Sequence, residues 1–199
     1  MDYSLNEQQE MMQTLARDFM TDAYPEKTLR AVAEGDAGLT ASLWKQMAEM
    51  NLMGLSLPEE YGGLGDFLDL AVVLEEMGKA CFISPYFASV VLGGGAVAVA
   101  GNDEQQAEYL PRIADGSIKM TLAAPVSDRY RISAAPQGDG WTLDGELWFV
   151  PDAGTADYLV IAAETGEGQT VLCLVPADAA GLTVAPMSLI SGEPTGTVA

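Results

Sequence analysis

Across 199 residues the chain sets 29 acidic side chains against 9 basic ones, a net charge of -20, with 49% apolar residues and no histidine. Phosphate contacts need clustered Lys and Arg, so this balance excludes a nucleic-acid binder and argues against anionic membrane surfaces. Without histidine, Ser-His-Asp and Cys-His catalysis and His-ligated metal sites are excluded as well. Cys81 and Cys173 lie far apart, which rules out a disulfide framework or a CxxC metal site, and both read as small buried hydrophobes in a reducing compartment.

The N-terminus, Met1 to Glu7, lacks the basic start and apolar run of a signal peptide. Ser4-Leu5-Asn6-Glu7 fits a capping box, followed by a helix that buries Met12, Leu15 and Phe19. Pro25 suits the first turn of a second helix ending near Gly35, and Leu43, Met47 and Met50 mark a third. Residues 54–65 form a turn-rich loop. Asp66 opens a helix through Leu70, Val73, Leu74 and Met77, closed by Gly78. Pro85 begins an apolar segment to Ala100 that should be buried nearly all round; its longest apolar stretch, around Val90 to Ala100, is Gly-interrupted and too short to span a bilayer. Gly101 ends it, and Asp103 caps a last helix through Tyr109 and Leu110.

After Gly116 the period changes to two. Candidate strands run over Lys119–Ala124, Arg131–Ala134, Trp141–Leu143, Glu146–Val150, Tyr158–Ala163, Thr170–Val175 and Leu182–Val184. Gly138-Asp139-Gly140 and Asp144-Gly145 are hairpin signals. The expected fold class is α+β in two domains: an all-α helical bundle over 1–116, then a small antiparallel β-sandwich or barrel over 117–199. The expected compartment is the cytoplasm.

The residues alone stop at a protein with a helical and a β-domain. Leu55-Ser56-Leu57-Pro58-Glu59-Glu60-Tyr61-Gly62-Gly63-Leu64-Gly65, between the third and fourth helices, resembles the signature loop of acyl-CoA dehydrogenases. Gly101 to Gly116 is similar to the family's helix leading into the β-domain, and Gly138 to Glu146 to its β-hairpin. The resemblance runs over essentially the whole chain. It implies an FAD-dependent α,β-desaturation of an acyl-CoA thioester, in which a Glu carboxylate takes the α-proton and the flavin takes the hydride. The family's base sits in a C-terminal helical domain, so it is expected beyond Ala199, the β-domain is expected to be incomplete, and no catalytic residue is assigned here. The chain alone is expected to be inactive. No metal is expected.

Carried over position by position, the resemblance assigns flavin contacts to Met120, Leu122, Ala123, Ser127, Phe149, Val150 and Pro151, with Ser127 also near the thioester. The sequence departs from the family within this set. Where the family has Leu-Thr-Glu-Pro, the chain has Leu122-Ala123-Ala124-Pro125, and where the family's later string Lys, any residue, Trp, Ile, Thr, Asn carries its hydroxyl-bearing Thr, the chain Leu147-Trp148-Phe149-Val150-Pro151-Asp152 has Pro151. Ala123 has no side-chain donor, and Pro151 lacks both the hydroxyl and the backbone N–H. Phe149 keeps an aromatic at the packing position, and Trp148 faces away from it. Two readings follow: an FAD-dependent dehydrogenase or part of one, or a non-catalytic subunit with a degenerate flavin site in a heteromeric dehydrogenase. A flavin monooxygenase-like member of the same superfamily is a third. The implied partners are an acyl-CoA substrate, further copies or another acyl-CoA dehydrogenase subunit, and electron-transfer flavoprotein as acceptor.

Overall fold

The computed structural model describes residues 4–138 and 140–199; the reading of Met1–Tyr3 and the centre of the hairpin signal at Asp139 lie outside them. The chain divides into two compact units, one of residues 1–84 with 114–116 and the other of 85–113 with 117–199. This division by packing differs from the 116/117 boundary expected from the change of period after Gly116, because helical residues 85–113 group with the strands.

The first unit holds α1 (Glu7–Ala23), α2 (Glu26–Ala33), α3 (Ala37–Glu49) and α4 (Phe67–Lys79). The cap of α1 is Asn6 with Gln9, not Ser4 with Glu7: the Asn6 side chain accepts the Gln9 N–H and the Gln9 side chain accepts the Asn6 N–H. This start buries Ala16, Phe19 and Met20 and leaves Leu15 37% exposed, so the apolar stripe is shifted from the one expected. Asp66 caps α4 as read from the sequence, in a reciprocal pair with Asp69. Arg17 on α1 and Lys79 on α4 both bond the Glu76 carboxylate, whose side chain is 4% exposed.

Between α3 and α4 lie two short 3-10 turns, Leu52–Gly54 just before the signature loop and Glu59–Tyr61 within it. Gly63 in the loop and Gly54 just before it are required by close approach. A Cβ on Gly63 would lie 1.8 Å from the Leu57 carbonyl oxygen, and one on Gly54 would lie 2.4 Å from that of Gly62.

The second unit begins with a π-helix, Phe87–Gly94, running into α5 (Gly95–Ala100) and then α6 (Asp103–Ala114). The 85–100 segment is only partly enclosed, since Phe87 is 49% and Val99 88% exposed. Asn102, one residue before the expected Asp103, caps α6 by exchanging bonds with Gln105. Its strands are β1 (Met120–Ala123), β2 (Ile132–Gln137), β3 (Gly140–Gly145), β4 (Leu147–Pro151), β5 (Tyr158–Thr165), β6 (Thr170–Pro176), β7 (Val184–Met187) and β8 (Thr195–Val198). They form a five-stranded sheet in the order β1-β5-β2-β3, with β6 also on β5, and a three-stranded sheet β4-β8-β7.

The sheets are not a closed barrel, and the larger one is mixed rather than antiparallel: β1 and β2 both run parallel to β5. Period-two alternation identifies a strand but carries no direction, and only β2–β3 and β5–β6 are joined closely enough to announce theirs. Asp144-Gly145 is not a hairpin turn; there the chain passes from one sheet to the other, since β4 pairs with β8. Ala123, Ile132, Leu159 and Ile161 from the large sheet pack with Leu147, Val150 and Val198 from the small one to make the core of this unit. Of the cysteines, Cys81 is exposed and Cys173 half-buried, so neither is the buried hydrophobe expected.

Candidate functional site

The residues assigned by resemblance fall on β1, the turn after it, and β4. Although β1 and β4 belong to different sheets, Thr121 Oγ1 donates a 2.7 Å hydrogen bond to the Pro151 carbonyl and holds them together. Thr121 is fully buried. The structure therefore brings Met120–Ala123 and Phe149–Pro151 into one place, although 30 residues separate the bonded pair.

Backbone direction along β1 decides what each position offers. The Lys119 carbonyl accepts the Asp157 and Tyr158 N–H groups, so Lys119 faces β5. Met120 points its N–H the other way, to Ser89 Oγ on the π-helix at 3.1 Å. Backbone groups alternate sides along a strand, so Thr121 and Ala123 face β5 and Leu122 turns its N–H and C=O to the outer edge, beside the Met120 N–H. Ala123 is fully buried in the core, and Met120 and Val150 are buried as well. The polar groups this edge presents outward are thus the backbone of Leu122, not a side chain at 123.

At β4 the pairing with β8 shifts register between Leu147 and Val150, a bulge, and Phe149 has a φ of 63°. A bulge with a left-handed residue re-aims its side chain, and Phe149 is left 43% exposed. Trp148 stacks on Tyr130 with ring centroids 4.4 Å apart and planes 11° off parallel, and Phe149 meets Trp148 edge-on at 6.3 Å. Ser127 sits in the exposed turn that brings Tyr130 round, its hydroxyl accepting the Arg129 N–H at 3.4 Å. Sequence reasoning missed Ser89, Thr121 and Tyr130. Ser89 carried a signal, a lone hydroxyl inside an apolar run; Thr121 and Tyr130 carried none, because their partners are remote in sequence.

Asp152, directly after Pro151, lines a cavity of about 460 Å³ with Thr155, Met187 and Pro194. Burial, with the negative charge of Glu193 beside it, pushes its carboxyl up to about 6.

The fold is a helical unit and a mixed two-sheet unit whose β1 edge and β4 bulge lie side by side. Residues 6–117 match the family model described as "Acyl-CoA dehydrogenase, N-terminal domain". The chain belongs to the acyl-CoA dehydrogenase family. A probable acyl-CoA dehydrogenase, YngJ, of Bacillus subtilis is 30% identical over 198 residues, covering 92% of this chain and 52% of that protein. Among solved structures, a variant of the Tcur3481-Tcur3483 steroid acyl-CoA dehydrogenase superposes with a TM-score of 0.88 at 34% identity, over 98% of this chain and 55% of that one. The ChsE4-ChsE5 complex of Mycobacterium tuberculosis gives a TM-score of 0.91 at 25% identity, over 100% and 55%. The chain spans about half the length of the relatives it matches.

The family implies FAD, and the residues present fit its ring better than its diphosphate. The Leu122 backbone edge can exchange hydrogen bonds with a heteroaromatic rim, and exposed Phe149 can pack on its face. For the diphosphate the sequence offers no basic residue after Arg131, and Arg131 is itself paired with Asp128 and Glu164.

Proposed function

We propose that the protein works in an FAD-dependent acyl-CoA dehydrogenase, taking part in α,β-desaturation of an acyl-CoA thioester in lipid catabolism. The observation that supports this reading is the Thr121–Pro151 bond, which joins the two strand segments that the family resemblance assigns to the flavin. Bound FAD would accept the β-hydrogen as hydride. In this reading Leu122 supplies backbone hydrogen bonds to the ring, Phe149 covers its face, and buried Met120, Ala123 and Val150 hold the two strands in place. Ser127, on the exposed turn, reaches toward the thioester. Pro151 contributes its carbonyl to Thr121 rather than to the ring. No carboxylate of the chain is proposed as the base.

A second reading is favoured by two specific positions. Ala123 and Pro151 carry no side-chain donor, and the Pro151 carbonyl is already bonded, which fits a flavin-poor subunit working beside a catalytic one. The ChsE4-ChsE5 neighbour is a complex of two different chains by its description, and heteromeric assembly is proposed here on that model. Electron-transfer flavoprotein as acceptor, oligomeric assembly and a cytoplasmic location complete the proposal; among the described residues no helix is long and apolar enough to cross a membrane.

The test is spectroscopic. The protein purified alone and with its copurifying subunit is scanned for flavin absorbance, then assayed for dye reduction with a panel of acyl-CoA thioesters. Flavin retained by the protein alone supports the first reading. Flavin and thioester-dependent dye reduction appearing only with the other subunit support the second, and their absence from both preparations refutes the two together.

A further inference from the structure

The π-helix lies against β1 at a separation that only glycine permits. A Cβ on Gly93 would fall 2.8 Å from the Met120 carbonyl carbon, Cβ and Cγ alike. One turn earlier, Ser89 has no exposed surface, and its hydroxyl oxygen accepts the Met120 N–H at 3.1 Å. β1 is an edge strand of its sheet, paired among the described residues only with β5, so without Ser89 its outer rim would present two competing amides, those of Met120 and Leu122. With the hydroxyl in place one is closed and the next is left outward.

We propose that Ser89 is a positioning residue for the flavin ring: by closing the Met120 amide and fixing β1 against the π-helix, it makes the Leu122 N–H and C=O the only register at which a ring edge can dock. The inference rests on the flavin reading above and deepens it. A π-helical stretch suits the role, since such segments shift side chains out of α-helical register and recur at functional sites. It brings a hydroxyl to a strand that the surrounding apolar run could not otherwise cap. Ser89 acts through Met120 and β1, and is not itself placed in contact with the ring.

The experiment is FAD titration of the protein and its Ser89→Ala variant, followed by flavin fluorescence and visible absorption, with amide hydrogen exchange read over residues 118–124. Wild type should bind FAD with protection of the Leu122 amide. Ser89→Ala should speed exchange at Met120, weaken FAD about tenfold, as expected for a buried amide left without its acceptor, and move the absorption bands of the bound flavin toward those of free FAD. A purely structural role for Ser89 would lower stability but leave the bound spectrum unchanged. Gly93→Ala, which pushes the same strand outward, is the second variant and should give the same spectral change. Undiminished FAD affinity with an unaltered bound spectrum in both variants overturns the positioning role and leaves the flavin reading standing. Failure of wild type to bind FAD in every preparation overturns both.

Discussion

Replacing Thr121 by Val removes one hydroxyl and little else, because the two side chains are nearly the same size. The hydroxyl is fully buried and donates at 2.7 Å to the carbonyl of half-buried Pro151. A net hydrogen bond contributes about 0.5–1.5 kcal/mol, and an acceptor stranded without a donor costs about 1–3 kcal/mol if wholly buried. Since Pro151 is partly reached by solvent, the loss should be about 1–2 kcal/mol. Thr121→Ser separates the causes: it keeps the hydroxyl and removes a buried methyl, for about 0.8–1 kcal/mol. The assay is the urea dependence of hydrogen exchange in peptides spanning 118–124 and 147–152, which reports this unit without interference from the helical one. In Thr121→Val both peptides should lose protection together, because one bond joins them; in Thr121→Ser the second peptide should be nearly untouched. Val as stable as wild type, or a loss confined to the first peptide, would refute the idea that this bond holds the two strands together.

Glu76 accepts from Arg17 and Lys79, which hold its carboxyl at about 2, below its ordinary value of 4.5. A depressed carboxylate contributes stability that is present above pH 4.5 and disappears as pH falls toward about 2. That interval caps the effect at about 3 kcal/mol, and screening at the half-exposed Arg17 and Lys79 ends reduces it to about 1–2 kcal/mol. Glu76→Gln should therefore lower the melting temperature at pH 7 and match wild type near pH 2; an equal deficit at both pH values would refute the assignment. Gly63→Ala should destabilise the helical unit strongly, since its methyl would meet the Leu57 carbonyl at 1.8 Å; unchanged thermal unfolding would show that the loop can yield. Asp152, pushed up to about 6, behaves oppositely to Glu76: its ionisation costs stability as pH rises through that value. Asp152→Asn should be more stable than wild type at pH 7.5 and indistinguishable from it near pH 4, by urea denaturation at each pH.

The parts of the fold legible in the sequence are those fixed by local rules. Asp66 announces a helix because a carboxylate there satisfies free amides, and the structure gives it that role. The signature loop carries Gly63, and the residue before the loop is Gly54, because backbone passes within contact of backbone at both. Where two local solutions compete, the sequence is ambiguous: Ser4 and Asn6 both suit a cap, and packing of Ala16, Phe19 and Met20 selects Asn6. Strand direction and strand partners are not local at all. β1 finds β5 some 38 residues on, and β8, a Thr-Gly-Thr-Val stretch with no alternation, becomes a strand only because β4 and β7 lie on either side of it. The same reason hid half of the candidate site. Resemblance supplied Phe149 and Leu122, but the bonds that set them in place come from Ser89 and Thr121, whose partners are 31 and 30 residues away.

The charge pattern gives the last test. Arg17, Arg30, Lys45, Lys79, Arg112 and Arg131 are all engaged with carboxylates of the chain itself, and the sequence carries none of its basic residues beyond Arg131. A ring edge docked on the Leu122 backbone needs no cation, but a diphosphate held by this chain would. The two cases differ in their response to salt. Phosphate held by Lys or Arg loses affinity as salt is added, whereas an anionic ligand approaching a chain of net charge -20 is repelled, and salt relieves the repulsion. FAD affinity of this chain alone should therefore stay level or rise between about 0.05 and 0.3 M NaCl, a span over which the screening length falls to about 6 Å. The measurement is flavin fluorescence titration at four or five salt concentrations. A severalfold loss of affinity over that range would mean that the chain holds the diphosphate with its own cations, and the view that it supplies only the ring's share of the site would be wrong.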